Sequence, residues 1–248
     1  MLALSHAQTA SSLEGSRSAL TLRPGLTPAV AKAPAADPTS LEGHLGRAPQ
    51  RTFAAKEHVF TEGDPRANLY RIESGAVCMY KVMPDGRRQV LGFAYAGDLI
   101  GLGSSSEHQF NAQATKACEL RILPWSLVQR IGRQDPEFGF KLYEAAAQEL
   151  AAAHDLLLTT GQRTAMESLA AFLLAMARRG RRGKDGNTVI DLPMTRSDIG
   201  DFLGLTIETV SRTFTKLRQL KIIDLAQCTE VHVVDMDALE DLAQGEAA

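Results

Sequence analysis

The segment between Met194 and Leu220 constrains the fold more than any other part of this 248-residue chain. It predicts a first helix from about Arg196 to Leu203, followed by a tight turn and a second helix. Thr195 and Thr206 can cap the two helix N-termini, and Gly204 can end the first helix because glycine readily adopts the left-handed conformation. The second helix has inward-facing apolar residues three or four positions apart, at Val210, Phe214, Leu217 and Leu220. This pattern is typical of a helix-turn-helix, whose second helix enters the major groove of DNA.

Glu208, Ser211 and Arg212 share one side of the first two turns of the second helix, because they are three and one residues apart. Arginine can pair with guanine through two hydrogen bonds, glutamate can accept one from cytosine N4, and serine can donate or accept. These side chains are therefore equipped to read a site that contains G·C pairs. Composition alone is equally compatible with ordinary solvated residues on a surface helix.

The helix-turn-helix of the CRP/FNR regulators resembles one stretch of this chain, DIGDFLGLTIETVSRTFTKLRQLKII. The string ETVSR, from Glu208 to Arg212, matches the FNR and FixK branch of that family. In that branch the glutamate, serine and arginine of the motif read a TTGA half-site. The resemblance therefore assigns base reading to Glu208, Ser211 and Arg212, and it extends from about Gln50 to Leu242.

The resemblance also implies how the protein works. We expect a homodimer that binds double-stranded DNA at a TTGAT-N4-ATCAA-like palindrome, acts with RNA polymerase and activates low-oxygen-response genes. A two-fold dimer places its recognition helices about 34 Å apart, one turn of DNA. Thr206 and Ile207 belong to the DNA-facing start of the recognition helix. Candidates for phosphate contacts, which set affinity without specifying sequence, are Arg196, Lys216 and Arg218.

The charge distribution agrees with DNA contact through the C-terminal part of the chain. The formal net charge is −2, but between Arg163 and Lys221 eleven Lys and Arg residues accompany six Asp and Glu residues, a local charge of +5. A basic end on an otherwise acidic chain is typical of DNA contact through that end. No apolar run reaches the roughly 18 residues of a membrane span, so no membrane association is expected.

Three cysteines, Cys78, Cys118 and Cys228, are far apart and odd in number, which predicts reduced thiols in a cytoplasmic protein. Many FNR regulators hold an iron–sulfur cluster with cysteines near the N-terminus, whereas residues 1–38 contain none. Because such a cluster needs about four thiolates, we predict no cofactor and place the chain nearer to FixK than to FNR. The N-terminus lacks the form of a signal peptide, and the composition of residues 1–38 predicts disorder.

Short apolar strands alternate with turns from Phe53 to Pro124. Glycines recur in these turns at spacings of twelve, eleven and eleven residues, at Gly63, Gly75, Gly86 and Gly97. This rhythm predicts an antiparallel β-barrel or jelly roll. Three strings, FTEGD, LYRIESGAV and GDLIG, resemble the β-roll of cyclic-nucleotide-binding domains, and we assign residues 39–134 to this domain.

The sequence argues against a bound cyclic nucleotide. In relatives that bind cAMP, an acidic residue after GDxIG holds the ribose and an Arg-Ser or Arg-Thr pair holds the phosphate. Here the ribose position is Leu102 or Gly103, and the segment from Gln109 to Thr115 contains no arginine. We therefore predict DNA binding without an effector. Ser104–Ser106 could still donate hydrogen bonds, so a sensor gated by a cyclic nucleotide, haem or another ligand is the alternative.

One long helix is predicted from Asp135 to Gly161, and we assign residues 135–161 to dimerisation. Large apolar residues recur every seven positions, at Tyr143, Leu150 and Leu157. Smaller residues lie between them, at Ala146 or Ala147 and at Ala153 or His154. A seven-residue period favours a coiled-coil seam with a partner helix over a core-facing stripe.

Residues 162–248 complete a predicted winged helix-turn-helix, which makes the chain an α+β protein. Its further elements are a helix over Thr164–Arg179, a strand over Val189–Leu192, a hairpin of Ile222–Leu225 with Val231–Val234, and a terminal helix over Met236–Leu242. The basic run Arg178–Lys184 is interpreted as a solvated helix end and loop, with phosphate contact as the alternative. No paired acid and base, nucleophile motif or metal-ligand spacing indicates an enzyme.

Overall fold

The computed structural model describes residues 40–160, 163–183, 186–227 and 229–245, without the side chains of residue 152 and residues 155–160. The predicted disorder of residues 1–38 and the predicted loop thiol of Cys228 lie outside these described residues, as does the side chain of Leu157. The described residues form an N-terminal β-roll, a long helix and a C-terminal winged helix-turn-helix, which confirms the predicted α+β architecture.

The β-roll consists of two antiparallel four-stranded sheets. One sheet has the order β1 (Gln50–Phe53), β8 (Cys118–Pro124), β3 (Asn68–Ser74), β6 (Leu99–Ile100), and the other has β2 (His58–Phe60), β7 (Asn111–Ala114), β4 (Ala76–Val82), β5 (Arg88–Tyr95). The predicted glycines lie in turns with positive φ. Gly75 shows the requirement most clearly, because a Cβ atom there would lie 2.4 Å from Cys118 Cβ.

Two helices at the ends of the roll were not predicted. The first, α1 (Leu41–Arg47), precedes β1, and the second, α2 (Trp125–Gln134), follows β8. Both pack on the roll in one apolar cluster that includes Leu45, Leu69 and Val128. Helix α1 is too short to reveal a helical period, whereas in α2 Leu127 and Val128 lie four and three residues before Ile131, a helical signal that the sequence analysis missed.

The long helix α3 spans Pro136–Thr160, close to the predicted Asp135–Gly161. After it, α4 (Ala165–Ala177) begins with a capping box in which Thr164 and Glu167 bond to each other's backbone N–H groups. The basic run departs from the predicted solvated loop. Arg181–Arg182 form strand β9, and the half-buried Arg179 side chain forms an ion pair with buried Asp98 of the roll.

The winged domain contains the predicted helix-turn-helix and hairpin. Its remaining elements are β10 (Thr188–Asp191), α5 (Arg196–Leu203), α6 (Ile207–Gln219), β11 (Ile223–Gln227), β12 (Glu230–Val233) and α7 (Met236–Gln244). The sheet has the antiparallel order β11-β12-β10-β9. Its core joins apolar residues of α4, α5 and α6 with Cys78, Val90 and Phe93 of the roll.

The turn between α5 and α6 depends on close packing at Gly200. A Cβ atom at this position would lie 2.6 Å from the backbone oxygen of Leu205, which cannot move without opening the turn. We expect Gly200→Ala to lower the free energy of unfolding by about 1–3 kcal/mol, the usual cost of overpacking. Urea unfolding followed by circular dichroism measures this change.

Gly46→Ala is the matched control, because it also lies in a helix and its added Cβ would meet no atom within 4 Å. Alanine favours helix over glycine by up to about 1 kcal/mol, so this variant should be as stable as the wild type or slightly more so. Equal unfolding midpoints for Gly200→Ala and the wild type would contradict the packing argument.

Candidate nucleic-acid interface

The first helix of the helix-turn-helix begins and ends where the sequence predicts, and the second helix begins where the sequence predicts. Thr195 caps α5 through a capping box with Asp198, and Gly204 ends it in the left-handed conformation with φ 70°. Thr206 caps α6, because its hydroxyl accepts a hydrogen bond from the backbone N–H of Thr209 at 3.2 Å. These local interactions define the start of the recognition helix, α6.

The recognition helix buries one face and exposes the other. Val210, Phe214 and Leu217 are at most 2% exposed, and buried Thr213 donates its hydroxyl hydrogen bond to the backbone oxygen of Thr209 at 2.8 Å. Leu220 was predicted to face inward but is 53% exposed. The prediction is wrong because α6 ends at Gln219 and Leu220 is the C-cap, outside the helical stripe.

Glu208, Ser211 and Arg212 lie together on the exposed face of the first turns of α6. Within the part of the chain that the structure describes, neither the Glu208 carboxylate nor the Arg212 guanidinium has a hydrogen-bond or ion-pair partner. Both charged groups are therefore available to a ligand. Thr215, which the sequence analysis missed, continues the same exposed face one turn further along.

The other predicted DNA-binding residues are in different environments. Thr206, Lys216 and Arg218 are exposed, as is the Ile207 side chain at 47%. Arg196 is half-buried, and its guanidinium carbon lies 3.3 Å from the centre of the Phe214 ring. This cation–π contact connects α5 to α6.

The wing hairpin neutralises part of the basic run. Arg181 Nη2 lies 2.8 Å from Glu230 Oε2, and His232 Nε2 lies 2.7 Å from Glu230 Oε1. The hydrogen bond from His232 is the main cause of a lowered pKa at Glu230. Arg181 thus forms an ion pair within the protein, which weakens the alternative interpretation of this residue as a phosphate contact.

The predicted seam of α3 faces solvent in a single protomer. Tyr143 is 67% and Leu150 57% exposed, and Ala146 and Ala153, each three residues further along, are also exposed. Phe140, which the sequence analysis did not include, is 58% exposed, and its ring centre lies 6.3 Å from that of Tyr143. Large apolar side chains on one face of a 25-residue helix indicate a surface that binds another surface.

Aromatic side chains fill the interior of the roll. The rings of Phe60 and buried His108 stack with their centres 3.6 Å apart, and Tyr70 and Phe110 lie within 6 Å of the Phe60 ring. Burial lowers the pKa of His108, so the imidazole is neutral at neutral pH.

The segment after GDLIG is hydrogen-bonded to the loop between β2 and β3. Arg66 Nε donates to the backbone oxygen of Ser105 at 2.7 Å, and its guanidinium lies 3.9 Å from the centre of the Trp125 ring. The Ser105 hydroxyl accepts from Gln109 Nε2 at 3.2 Å. Leu102, one of the two possible ribose positions, packs against the apolar cluster at the base of the roll.

Strand β5 joins the roll to the winged domain, which sequence analysis did not predict. Arg88 bonds to Asp198 and Asp201 of α5, more than a hundred residues away along the chain. No local sequence pattern reports such a contact.

In the described residues, no helix is long and apolar enough to cross a lipid bilayer.

Comparisons with known proteins cover both domains. Residues 50–135 match the cyclic nucleotide-binding domain family, and residues 167–242 match the Crp-like helix-turn-helix domain family. The nitrogen fixation regulation protein FixK of Bradyrhizobium diazoefficiens is 42% identical over 179 residues, 71% of this chain and 73% of that protein. FixK of Rhizobium meliloti is 35% identical over 214 residues, 84% of this chain and 96% of that protein.

A solved structure, that of FixK2 from Bradyrhizobium japonicum, has a TM-score of 0.75 and 35% identity. The match covers 81% of this chain and 98% of that one. The matched region of the helix-turn-helix family includes the exposed recognition helix described above. The chain therefore belongs to the FixK-like branch of the CRP/FNR family, and it is a DNA-binding transcription activator.

Proposed function

We propose that this activator works as a homodimer, binds a TTGAT-N4-ATCAA-like palindrome and needs no small-molecule effector. The observation that carries the proposal is the exposed group of Glu208, Ser211 and Arg212 at the start of the recognition helix. The first turns of a recognition helix are the part that meets base edges. Two of these side chains are charged and have no partner among the described residues, so DNA does not have to break an existing ion pair to engage them.

The three side chains have different roles in this proposal. Arg212 donates two hydrogen bonds to the guanine of the TTGA half-site, and Glu208 accepts from a cytosine N4 group. Glu208 also excludes wrong bases, because a carboxylate that faces an acceptor atom is repelled. The side chain of Ser211 is short enough to let the helix approach the base edges between Glu208 and Arg212.

Phosphate contacts fix the helix in the groove. Lys216 and Arg218 extend from the later turns of α6 and are exposed. Arg196 reaches phosphate from α5, where its stacking on Phe214 limits the freedom of its guanidinium. Such contacts raise affinity for every sequence and make binding salt-dependent.

The dimer forms along α3. Its seam consists of Tyr143, Ala146, Leu150, Ala153 and Leu157, to which we add Phe140. The alanines allow two helices to approach closely between the larger side chains. A second copy of the chain is the partner, because the palindrome requires two recognition helices related by a two-fold axis.

Independence from an effector rests on the roll. Its interior is occupied by Phe60, Tyr70, His108 and Phe110. In other members the segment after GDLIG holds the nucleotide, and here Arg66 donates a hydrogen bond to that segment. We further propose that the protein acts with RNA polymerase in the cytoplasm on low-oxygen-response genes. The names of its relatives, which regulate nitrogen fixation, support this role.

Base reading is tested with Arg212→Ala. We expect this variant to lose about 1–3 kcal/mol of discrimination between the palindrome and a scrambled duplex, because the bidentate contact to guanine is gone. Fluorescence anisotropy at fixed salt gives both dissociation constants. Arg218→Ala is the control, since a lost phosphate contact weakens both duplexes alike and lowers the salt slope by about 1. A wild-type affinity ratio in Arg212→Ala would refute the assignment.

The dimer is tested with Leu150→Glu, which places a charge in the seam. Sedimentation at micromolar concentration should give twice the 26.8 kDa chain mass for the wild type and the single mass for the variant. Val234→Glu is the control, because Val234 is a similarly exposed apolar residue, at 48%, away from α3. A monomeric wild type, or a dimeric Leu150→Glu variant, would rule out this seam.

Effector independence is tested by titrating the palindrome with purified protein whose small-molecule content has been checked by mass spectrometry after denaturation. Ligand-free protein should bind specifically, and added cyclic AMP or haem should leave the dissociation constant unchanged because a ligand without differential affinity shifts no equilibrium. Specific binding that appears only with one of these additions would favour a ligand-gated sensor.

A further inference from the structure

Strand β5 and the turn that follows it meet the winged domain at three points. At its start, Arg88 bonds to α5. In its middle, the Phe93 ring lies 5.6 Å from Phe202 of α5 and 6.5 Å from Phe172 of α4. Just after it, Asp98 forms a buried ion pair with Arg179 at 3.1 Å. An apolar centre between two ionic contacts thus joins the domains.

The Arg88 contact differs from the other two in its geometry. Nη1 of Arg88 donates to Asp198 Oδ1 at 2.7 Å and to Asp201 Oδ2 at 3.0 Å. Nη2 donates to the sulfur of Cys78 at 3.2 Å, and the guanidinium lies 4.2 Å from the centre of the Tyr80 ring. Burial raises the pKa of the Cys78 thiol to about 12, so the sulfur is a neutral acceptor. The guanidinium is therefore held in one orientation within the roll.

These bonds fix the rotation of α5 as well as its position. Asp198 and Asp201 are three residues apart, so they lie on one face about one helical turn apart. The neighbouring Gln89 donates from Nε2 to the backbone oxygen of Asp201 at 2.9 Å. The hydrophobic effect that packs the aromatic centre is non-directional, whereas hydrogen bonds weaken steeply with angle. The aromatic centre holds the domains together, and the Arg88 contact determines how α5 is oriented.

The orientation of α5 is passed on to the recognition helix. The two helices are joined by the short turn at Gly204 and by close packing at Gly200, and Arg196 of α5 stacks on Phe214 of α6. A rotation of α5 would therefore carry α6 with it. The roll continues directly into α3, the helix of the proposed dimer seam.

We propose that Arg88 is a positioning residue that sets the separation and angle of the two recognition helices in the dimer, and with them the spacing between DNA half-sites. This inference rests on the proposed function, because it needs a dimer and a palindrome. Arg88 reads no base; it acts through Asp198 and Asp201. Its loss changes which half-site spacing the dimer accepts and leaves the base preference within each half-site unchanged.

The test uses Arg88→Met, which keeps an unbranched side chain and removes the donors. Dissociation constants are measured for the wild type and the variant on palindromes whose spacer is varied around four base pairs in single-pair steps. The wild type should prefer one spacing. In Arg88→Met this preference should fall by about tenfold, the factor expected for the loss of a charge-assisted contact. Point changes within the half-sites should cost both proteins the same.

Arg87→Met is the matched control. Arg87 is the adjacent arginine, its side chain is 83% exposed, and it pairs with Asp85 within its own hairpin. It should keep the wild-type spacing preference. A general loss of stability would weaken binding at every spacing alike, so the spacing preference separates orientation from stability.

Asp201→Asn provides a second variant in case Arg88→Met does not fold. Asp201 lies outside the capping box of Thr195 and Asp198, so α5 retains its N-terminal cap. It should relax the spacing preference in the same direction. Folded variants that keep the wild-type preference would overturn the inference alone. A wild type that prefers no spacing would overturn the proposed palindrome, and the inference with it.

Discussion

The docking of strand β5 against α4 and α5 is the interaction on which the rest of this structure depends. The roll carries the long helix with the proposed dimer seam, and the winged domain carries the recognition helix. Phe93, Phe172 and Phe202 form the apolar centre that packs the two domains together. Ion pairs of Arg88 and Asp98 flank this centre. Without this interface, the domains would be joined through the chain connection between α3 and α4.

The roll has the architecture of a cyclic nucleotide-binding domain, and aromatic side chains pack its interior. Phe60 and His108 stack in that interior, and Arg66 bonds to Ser105 in the segment that follows GDLIG. The outer strand of the same roll, β5, contacts the winged domain. The packed roll therefore supports the winged domain through β5.

Local chemistry accounts for what could be predicted from the sequence. Thr195, Gly204 and Thr206 determine helix ends through interactions within a few residues, and these positions were predicted correctly. Leu220 was misplaced because its apolar spacing continues past the end of the helix. Helix α1 was missed because it is short, and α2 was missed although Leu127, Val128 and Ile131 have helical spacing.

The interdomain contacts could not be predicted, for a different physical reason. Arg88 and Asp198 are 110 residues apart, and which of many surface charges meet depends on how two finished domains pack. Neighbouring Arg87 and Arg88 look alike in the sequence, yet one pairs within its own hairpin and the other reaches the helix-turn-helix. Only the folded structure distinguishes them.

Asp198 has two partners that belong to different domains. It completes the capping box with Thr195 and also accepts a hydrogen bond from Arg88. A change at Asp201 therefore alters the domain contact alone, but a change at Asp198 disturbs a helix end and a domain contact in one step. Position 201 can thus vary during evolution at the cost of one interdomain bond, whereas position 198 offers selection almost no freedom.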